Sequence, residues 1–532
     1  MTSRRNRSRR SGRNAGGRSA ARTKRSTSGR PSAKVLGIGA VVALGLGGLW
    51  LVLAPYYGTI LVWELRGGLP LFAALAVAVA TYLAARTLAS SLYGGYRTGV
   101  ALLAGVLGLA GGGWWMLHTF YEQDRTYLAE VEVVDAAVPG LEPRAPYQVG
   151  VAQARPNLGD TTGEIAGTSY LPGVDRFATL VDRRGWLAGY EVAFTQQIPL
   201  QGRGATDQKC QFDREHATRR VSGWFGHNLG RQISSERRWV RFDGDDVYAY
   251  CDGDRPVVVV PLKRQVGVWV VVEKPAGVAL YDGATGALTF TTDTAGIPGP
   301  SYPSSIAGWQ RESTGAMGSF ADWFFGRVGW QVPDDGTNAG NDAEFTLATA
   351  DGRRPVYVTP MAGRGSATAI SVVSVVPARH AGLGLAPVTV HRLDPVWVSP
   401  GAIVDRIRAD YQDIPNWVNI NVYEVVPTGG DGWAATLGTG QNILYRASGA
   451  GDLSGDKATC LQRADGSEIR CGSVADRDGR GPGGAYGDAG APGGGGVPSG
   501  DLGGLTDAEL AELHRRVADE VACRLAGTCG RN

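Results

Sequence analysis

Residues 252–262 read Asp252-Gly-Asp-Arg-Pro-Val-Val-Val-Val-Pro-Leu262, and residues 351–361 read Asp351-Gly-Arg-Arg-Pro-Val-Tyr-Val-Thr-Pro-Met361. Seven of the eleven positions match. In both copies a strand-like run precedes the Asp-Gly pair (Val247–Cys251; Phe345–Thr349), and a second apolar run follows (Val266–Val272; Ile370–Val376). Asp-Gly tolerates positive φ and suits a hairpin turn. Proline lacks an N–H, so Pro256 and Pro355 fit the start of a strand. The repeated unit is strand, turn, strand, connection, strand, which makes an antiparallel sheet the building block.

Outward from this pair the texture is the same. Short β-branched and aromatic runs alternate with Gly, Pro, Asp and Asn from about residue 125 onward. Helical patterns are fewer and precede the strands: Phe212–Ile233, Ser304–Phe325 and Ile403–Tyr411. Helices ahead of antiparallel strands predict an α+β fold of tandem helix-plus-sheet domains. The boundaries expected are a first domain over 122–300, a second, repeat-related one over 301–400, and a strand-rich third over 401–476.

The N-terminal quarter obeys different rules. Residues 1–34 carry twelve Lys and Arg and no acid, which predicts a disordered basic tail on the cytoplasmic side. Val35–Trp63, Leu69–Ala85 and Thr98–Tyr121 contain no charged residue, and each can cover a ~30 Å hydrocarbon core, the second barely. Residues 35–121 are therefore expected to form a three-helix membrane anchor. The flanking cations set its direction: the tail and the loop bearing Arg86 and Arg97 inside, the loop bearing Glu64 and Arg66 outside. Trp50, Tyr56, Tyr57 and Trp63, with Trp114, Trp115 and Tyr121, fit interfacial belts. Gly108-x-x-x-Gly112 permits close helix approach. No Asp, Glu, Lys or Arg lies within a segment, so the helices read as an anchor and not an ion pathway.

All six cysteines, Cys210, Cys251, Cys460, Cys471, Cys523 and Cys529, lie beyond residue 121, where this topology puts an oxidising compartment. A two-residue turn at Asp465-Gly466 sets Cys460 opposite Cys471. Sequence proximity favours Cys210–Cys251 and Cys523–Cys529 among the fifteen connectivities open to six cysteines. Residues 477–504 hold thirteen glycines and form a linker. Over 505–529, Thr506-x-x-Glu509 opens a helix whose Leu510, Leu513, Val517, Val521 and Leu525 form one apolar stripe. A lone helix cannot bury that stripe, so a protein partner or self-association is expected.

In element order the helix-plus-sheet domains resemble cystatin-like and NTF2-like domains of membrane-tethered secretion and conjugation proteins. Gly299-Pro300-Ser301-Tyr302-Pro303 followed by Gln310-Arg311 resembles uncharacterised multi-pass-anchored membrane proteins of actinobacteria and their phages. The first resemblance implies an architecture and carries no activity.

Catalytic signatures are missing. The six histidines form no His-x-x-x-His pattern, and there is no Cys-x-x-Cys, nucleophile elbow or phosphate loop. Asp243, Asp245, Asp246, Asp252 and Asp254 crowd one hairpin, but their spacing departs from a calcium loop and suits turns. No catalytic residue, cofactor or metal is assigned, and no specific nucleic acid or small-molecule ligand is expected. The function expected is a non-enzymatic membrane-anchored scaffold whose partners are lipid and protein. The alternatives are a component of a secretion or conjugation assembly and a cell-envelope enzyme whose acids meet only in the fold.

Overall fold

The computed structural model describes residues 42–50, 54–91, 93–199, 205–333, 344–454 and 459–472. The tail 1–34, the linker 477–504, the helix over 505–529 with its apolar stripe, and Cys523 and Cys529 lie outside them.

The described residues contain two helices long and apolar enough to cross a membrane, not three. These are α3 (Leu69–Leu88) and α4 (Gly94–Leu128). The expected first segment is instead two helices, α1 (Val42–Trp50) and α2 (Pro55–Gly67), inclined by 113°. Proline explains why the helix restarts at this point. Pro55 is the first residue of α2, where a missing N–H costs nothing, whereas inside a continuous helix its ring would clash with the preceding turn. The end of α2 is polar and bound elsewhere. Glu64 pairs with Arg241 at 3.0 Å, and the Trp63 indole donates to Glu273 at 3.2 Å. Trp63 is thus buried against protein rather than in an interfacial belt.

Helices α3 and α4 are antiparallel neighbours packed through small residues. A Cβ on Gly112 would lie 2.9 Å from Ala74 Cα, and one on Gly108 would lie 3.1 Å from Ala78 Cα. The glycines remove the side chains that would hold the backbones apart. At the far turn the Arg97 guanidinium donates to the Arg86 carbonyl at 2.8 Å.

Four antiparallel meanders follow, each led by a helix. The first is α5 (Tyr147–Ala154) with β3 (Glu164–Leu171), β4 (Arg176–Asp182), β5 (Tyr190–Gln197) and β6 (Ala205–Gln211). In the second, α6 (Leu229–Glu236) precedes β7 (Val240–Arg241), β8 (Tyr248–Asp252), β9 (Arg255–Val266), β10 (Val272–Asp282) and β11 (Leu288–Thr291). The third has α7 (Ser304–Glu312) and α8 (Phe320–Phe324) before β12 (Trp330–Gln331), β13 (Phe345–Thr349), β14 (Pro355–Gly363), β15 (Ile370–Pro377) and β16 (Val388–Trp397). Strands β1 (Val131–Val134) and β2 (Leu141–Glu142) close its edges, β1 parallel to β16. The fourth comprises α9 (Pro400–Asp410) and β17 (Asn421–Gly429) to β21 (Glu468–Cys471).

The matched segments hold equivalent places. Strand β9 pairs with β7, β8 and β10, as β14 pairs with β12, β13 and β15. Lys263 and Arg264 face β7, and the residues ninety-nine positions on, Ala362 and Gly363, face β12. The turns differ: Asp252 pairs with Arg255 across two residues, whereas Ala348 pairs with Pro355 across a longer loop.

The helix expected over Phe212–Ile233 is present only from Leu229. Asn228 caps it by accepting from Arg231 N at 2.9 Å, and the preceding residues, with Gly223 and Gly226, form turns. Two expected cysteine pairs lie at disulfide distance. Cys210–Cys251 ties β6 to β8, and Cys460 faces Cys471 across the last hairpin. A bulge between Leu461 and Gln462 makes that turn longer than two residues.

One core fills the space between the third sheet, α9 and the fourth sheet, with Phe345, Ile407, Trp433 and Leu437 at its centre. On the other face of the third sheet, Tyr302 and Ile306 of the α7 region pack with Tyr127, the end of α4. The C-terminal end of α4 therefore enters the protein core.

Gly112→Val should splay α3 from α4 at a cost of about 1–3 kcal/mol, as overpacking does. The neighbouring Gly111→Val, which meets no atom within 4 Å, should leave the detergent melting curve unchanged.

Candidate functional site

A polar cleft of about 620 Å³ opens where the first three sheets meet. Its walls come from Arg144 and Tyr147 before and in α5, Gly167–Tyr170 of β3, the loop 244–248, one side of α7, and Glu344, Thr346 and Tyr357 at the third sheet. These residues are far apart in sequence, and buried hydrogen bonds bring them together.

The Gly299–Pro303 motif is one clamp. Ser301 N and Tyr302 N both donate to the Ala378 carbonyl. The Tyr302 hydroxyl donates to Gln310 Oε1 at 2.6 Å, and Gln310 Nε2 donates to the Ala386 carbonyl at 2.8 Å. A Cβ on Gly299 would lie 2.6 Å from the Tyr248 ring and 2.7 Å from Leu171, so the chain must lack a side chain there. The motif fixes α7 on the third sheet and presents Arg311 to Glu344, with which it forms an ion pair. A second pair closes the opposite end. Arg144 Nη1 is 3.1 Å from Glu424, both are buried, and Glu424 also accepts from Tyr147 N at 2.7 Å. Each guanidinium is committed to a carboxylate; breaking one pair would strand a buried charge.

Among the cleft acids, Asp246 differs. Its Oδ1 accepts from Ser304 N, the first N–H of α7, at 3.0 Å. Its Oδ2 is shielded from solvent and has no hydrogen-bond partner. Burial pushes the carboxyl up to about 6, opposed by the Ser304 hydrogen bonds and reinforced by the Asp243 and Glu344 carboxylates. This moves the Asp246 titration toward neutral pH, and Asp245 beside it is exposed at the mouth. Thr168, Ser169, Ser304 and Ser305 line the rest. Such a surface suits a polyhydroxylated or cationic group better than an anion.

The other aspartates of the hairpin scatter. Asp243 accepts from Lys263 Nζ at 2.9 Å, and Asp252 pairs with Arg255 at 2.5 Å. Among the described residues no group of three His, Cys, Asp or Glu is placed to hold a metal ion. The sequence groups Asp246 with turn formers and carries no local signal for Arg144, Glu344 or Glu424. Gln310-Arg311 stands out in the sequence, but only the fold gives the pair its roles.

The cleft also connects to the apolar helices α2 and α4. Lys263 Nζ lies 2.8 Å from Glu273 and 3.2 Å from Ser305 Oγ. Glu273 receives the Trp63 indole from α2, and its own N–H donates to the Tyr127 hydroxyl of α4 at 2.7 Å.

Because the folded Asp246 holds its proton more tightly than the unfolded chain, its favourable contribution is complete below about pH 4 and lost as pH rises through 6. Asp246→Asn keeps an acceptor for Ser304 N and removes the charge. It should exceed the wild type in stability at pH 8 by about 1–3 kcal/mol and match it near pH 4, read from melting curves at the two pH values.

No family model matches this chain, and comparison with curated proteins and with solved structures finds no match.

Proposed function

We propose that this chain is a non-enzymatic scaffold of a cell envelope, held in the membrane by its N-terminal helices and presenting the four-sheet body on the extracytoplasmic side. The observation that carries this reading is the continuity of α4. It runs 35 residues without a break, about 52 Å, from the apolar run into the core, where Tyr127 is 1% exposed. A body on a loose tether would need no such strut; one that presents a surface in a fixed orientation does. The charges support the direction: cations at the α3–α4 turn and in residues 1–34, cystine pairs only in the body. Lipid is one partner. The other is a protein or a second copy, and a place in a secretion or conjugation assembly is the specific form that helix-plus-antiparallel-sheet units favour.

A second reading, an envelope enzyme, is favoured by the cleft and its proton-exchanging Asp246. Crosslinking in native membranes followed by mass spectrometry separates the two. The scaffold reading expects a reproducible set of envelope proteins with both the wild type and Asp246→Asn, and loss of part of that set when the chain ends at 476. An empty set, with turnover of envelope polymer that Asp246→Asn abolishes, replaces the scaffold by the enzyme.

A further inference from the structure

We propose that the body rests in the outer leaflet instead of standing clear of it, through an apolar collar formed by α2, the β9–β10 tip and α8. This inference depends on the reading of α3 and α4 as membrane-spanning. Its occupant is the lipid surface.

The collar is made of side chains that a body surrounded by water has no reason to expose. Val268 is 65% and Trp269 52% exposed at the β9–β10 tip, and Phe325 is 63% exposed just after α8. They belong to one aromatic surface wrapped on α4. The Trp269 ring meets the Trp115 ring edge-on at 5.3 Å. Phe320 lies 4.8 Å from Trp114 and leads through Phe324 to Phe325. The Trp323 indole donates to Asp124 at 2.7 Å, and the Tyr121 hydroxyl donates to the Gly318 carbonyl at 2.8 Å, so the α8 part is locked to α4.

The level of these contacts along α4 decides the occupant. The uncharged run of α4 begins at Thr98 and ends at Tyr121. Trp114 is about 24 Å along it, short of the ~30 Å that a hydrocarbon core occupies. Residues touching Trp114 and Trp115 therefore sit at the depth of the outer lipid interface, before the first charged residue, Glu122. The same level is reached from α3, whose Ala74 lies against Gly112 and whose start at Leu69 adjoins α2.

Helix α2 completes the ring. Its inner side, with Thr59 and Trp63, is buried on the body, whereas Tyr57, Leu61 and Leu65 recur every four residues on the outside and are exposed. A short helix with an apolar outer face, inclined by 113° to α1, matches a helix lying in the interface plane. Cations border each aromatic part. Arg327 lies 4.8 Å over the Phe325 ring, Arg231 4.9 Å over Tyr57, and Arg66 donates to the Gly267 carbonyl at the β9–β10 tip. Aromatic rings flanked by cations suit the boundary between acyl chains and phosphate headgroups.

The test uses the full chain with Cys523→Ser and Cys529→Ser, in nanodiscs of phosphatidylcholine and phosphatidylglycerol. Nitroxide labels are placed at Val268→Cys, Phe325→Cys, Leu103→Cys in mid-α4 and Lys209→Cys on the body. Collision rates with oxygen and with an aqueous nickel chelate are then compared. The labels at 268 and 325 should be several-fold less accessible to nickel than the label at 209, yet open to oxygen like the one at 103. Nickel access equal to that at 209, with 103 still lipid-buried, overturns the collar alone. Aqueous access at 103 overturns the spanning reading. Shielding of 268 and 325 from both colliders means a protein cover and also overturns the proposal. Should introduced cysteines disturb the native pairs, Trp269→Phe serves instead: it should lower the fluorescence quenched by lipids brominated near the headgroup, and unchanged quenching overturns the proposal.

Discussion

Lipid offers no partner to a backbone N–H or C=O, so a chain leaves the hydrocarbon core as a helix or a closed barrel. The proposed membrane placement rests on how α4, apolar and long enough to cross, satisfies that constraint. Helix α4 does not end where its apolar run ends; its hydrogen-bond ladder continues to Leu128. The added turns are pinned by side chains: Tyr121 to the Gly318 carbonyl, Asp124 to the Trp323 indole, and Tyr127 to the N–H of Glu273. Two of these partners belong to the α7–α8 region and one to β10, so the second and third sheets share one strut.

Glu273 is where the apolar helices and the body exchange polar groups. Its backbone holds α4, one carboxylate oxygen receives α2 through Trp63, and the other lies beside the Lys263 ammonium. Burial alone would lower the Lys263 pKa, but Glu273 and Asp243 overcome it and raise it, so the lysine stays charged. Lys263 then reaches Ser305 of α7, and α7 offers its first N–H to Asp246. A continuous set of hydrogen bonds and ion pairs therefore links the apolar helices to the cleft floor. Contiguity makes coupling between them physically available.

What was legible in the sequence had local physical causes. Uncharged runs located α3 and α4, and Gly108 and Gly112 marked their contact; Cys460 does face Cys471, but through a longer turn compensated by a bulge and not through the two-residue turn at Asp465-Gly466. The matched pair at 252 and 351 found two strands that hold the same position in two sheets. What was illegible depends on distant partners. The run through Trp63 is uncharged, yet Pro55 starts a new helix and Glu64 finds Arg241 far along the chain. Arg144 meets Glu424 across 280 residues, and no local pattern encodes that pairing. Asp246 is one of several aspartates near a turn, and only the fold shields its Oδ2 and sets it apart from Asp252.

The central claim is that the basic tail and the body lie on opposite sides of one membrane. Only six of the 53 basic residues are lysines: Lys24 and Lys34 in the tail, and Lys209, Lys263, Lys274 and Lys457 in the body. Lys209 is exposed on β6. The direct measurement is labelling of intact cells with a membrane-impermeant amine reagent, followed by peptide mass spectrometry. The account predicts modification of Lys209 with Lys24 and Lys34 untouched until the cells are lysed. Labelling of Lys24 and Lys34 in intact cells with Lys209 protected, or of all three alike, would contradict it.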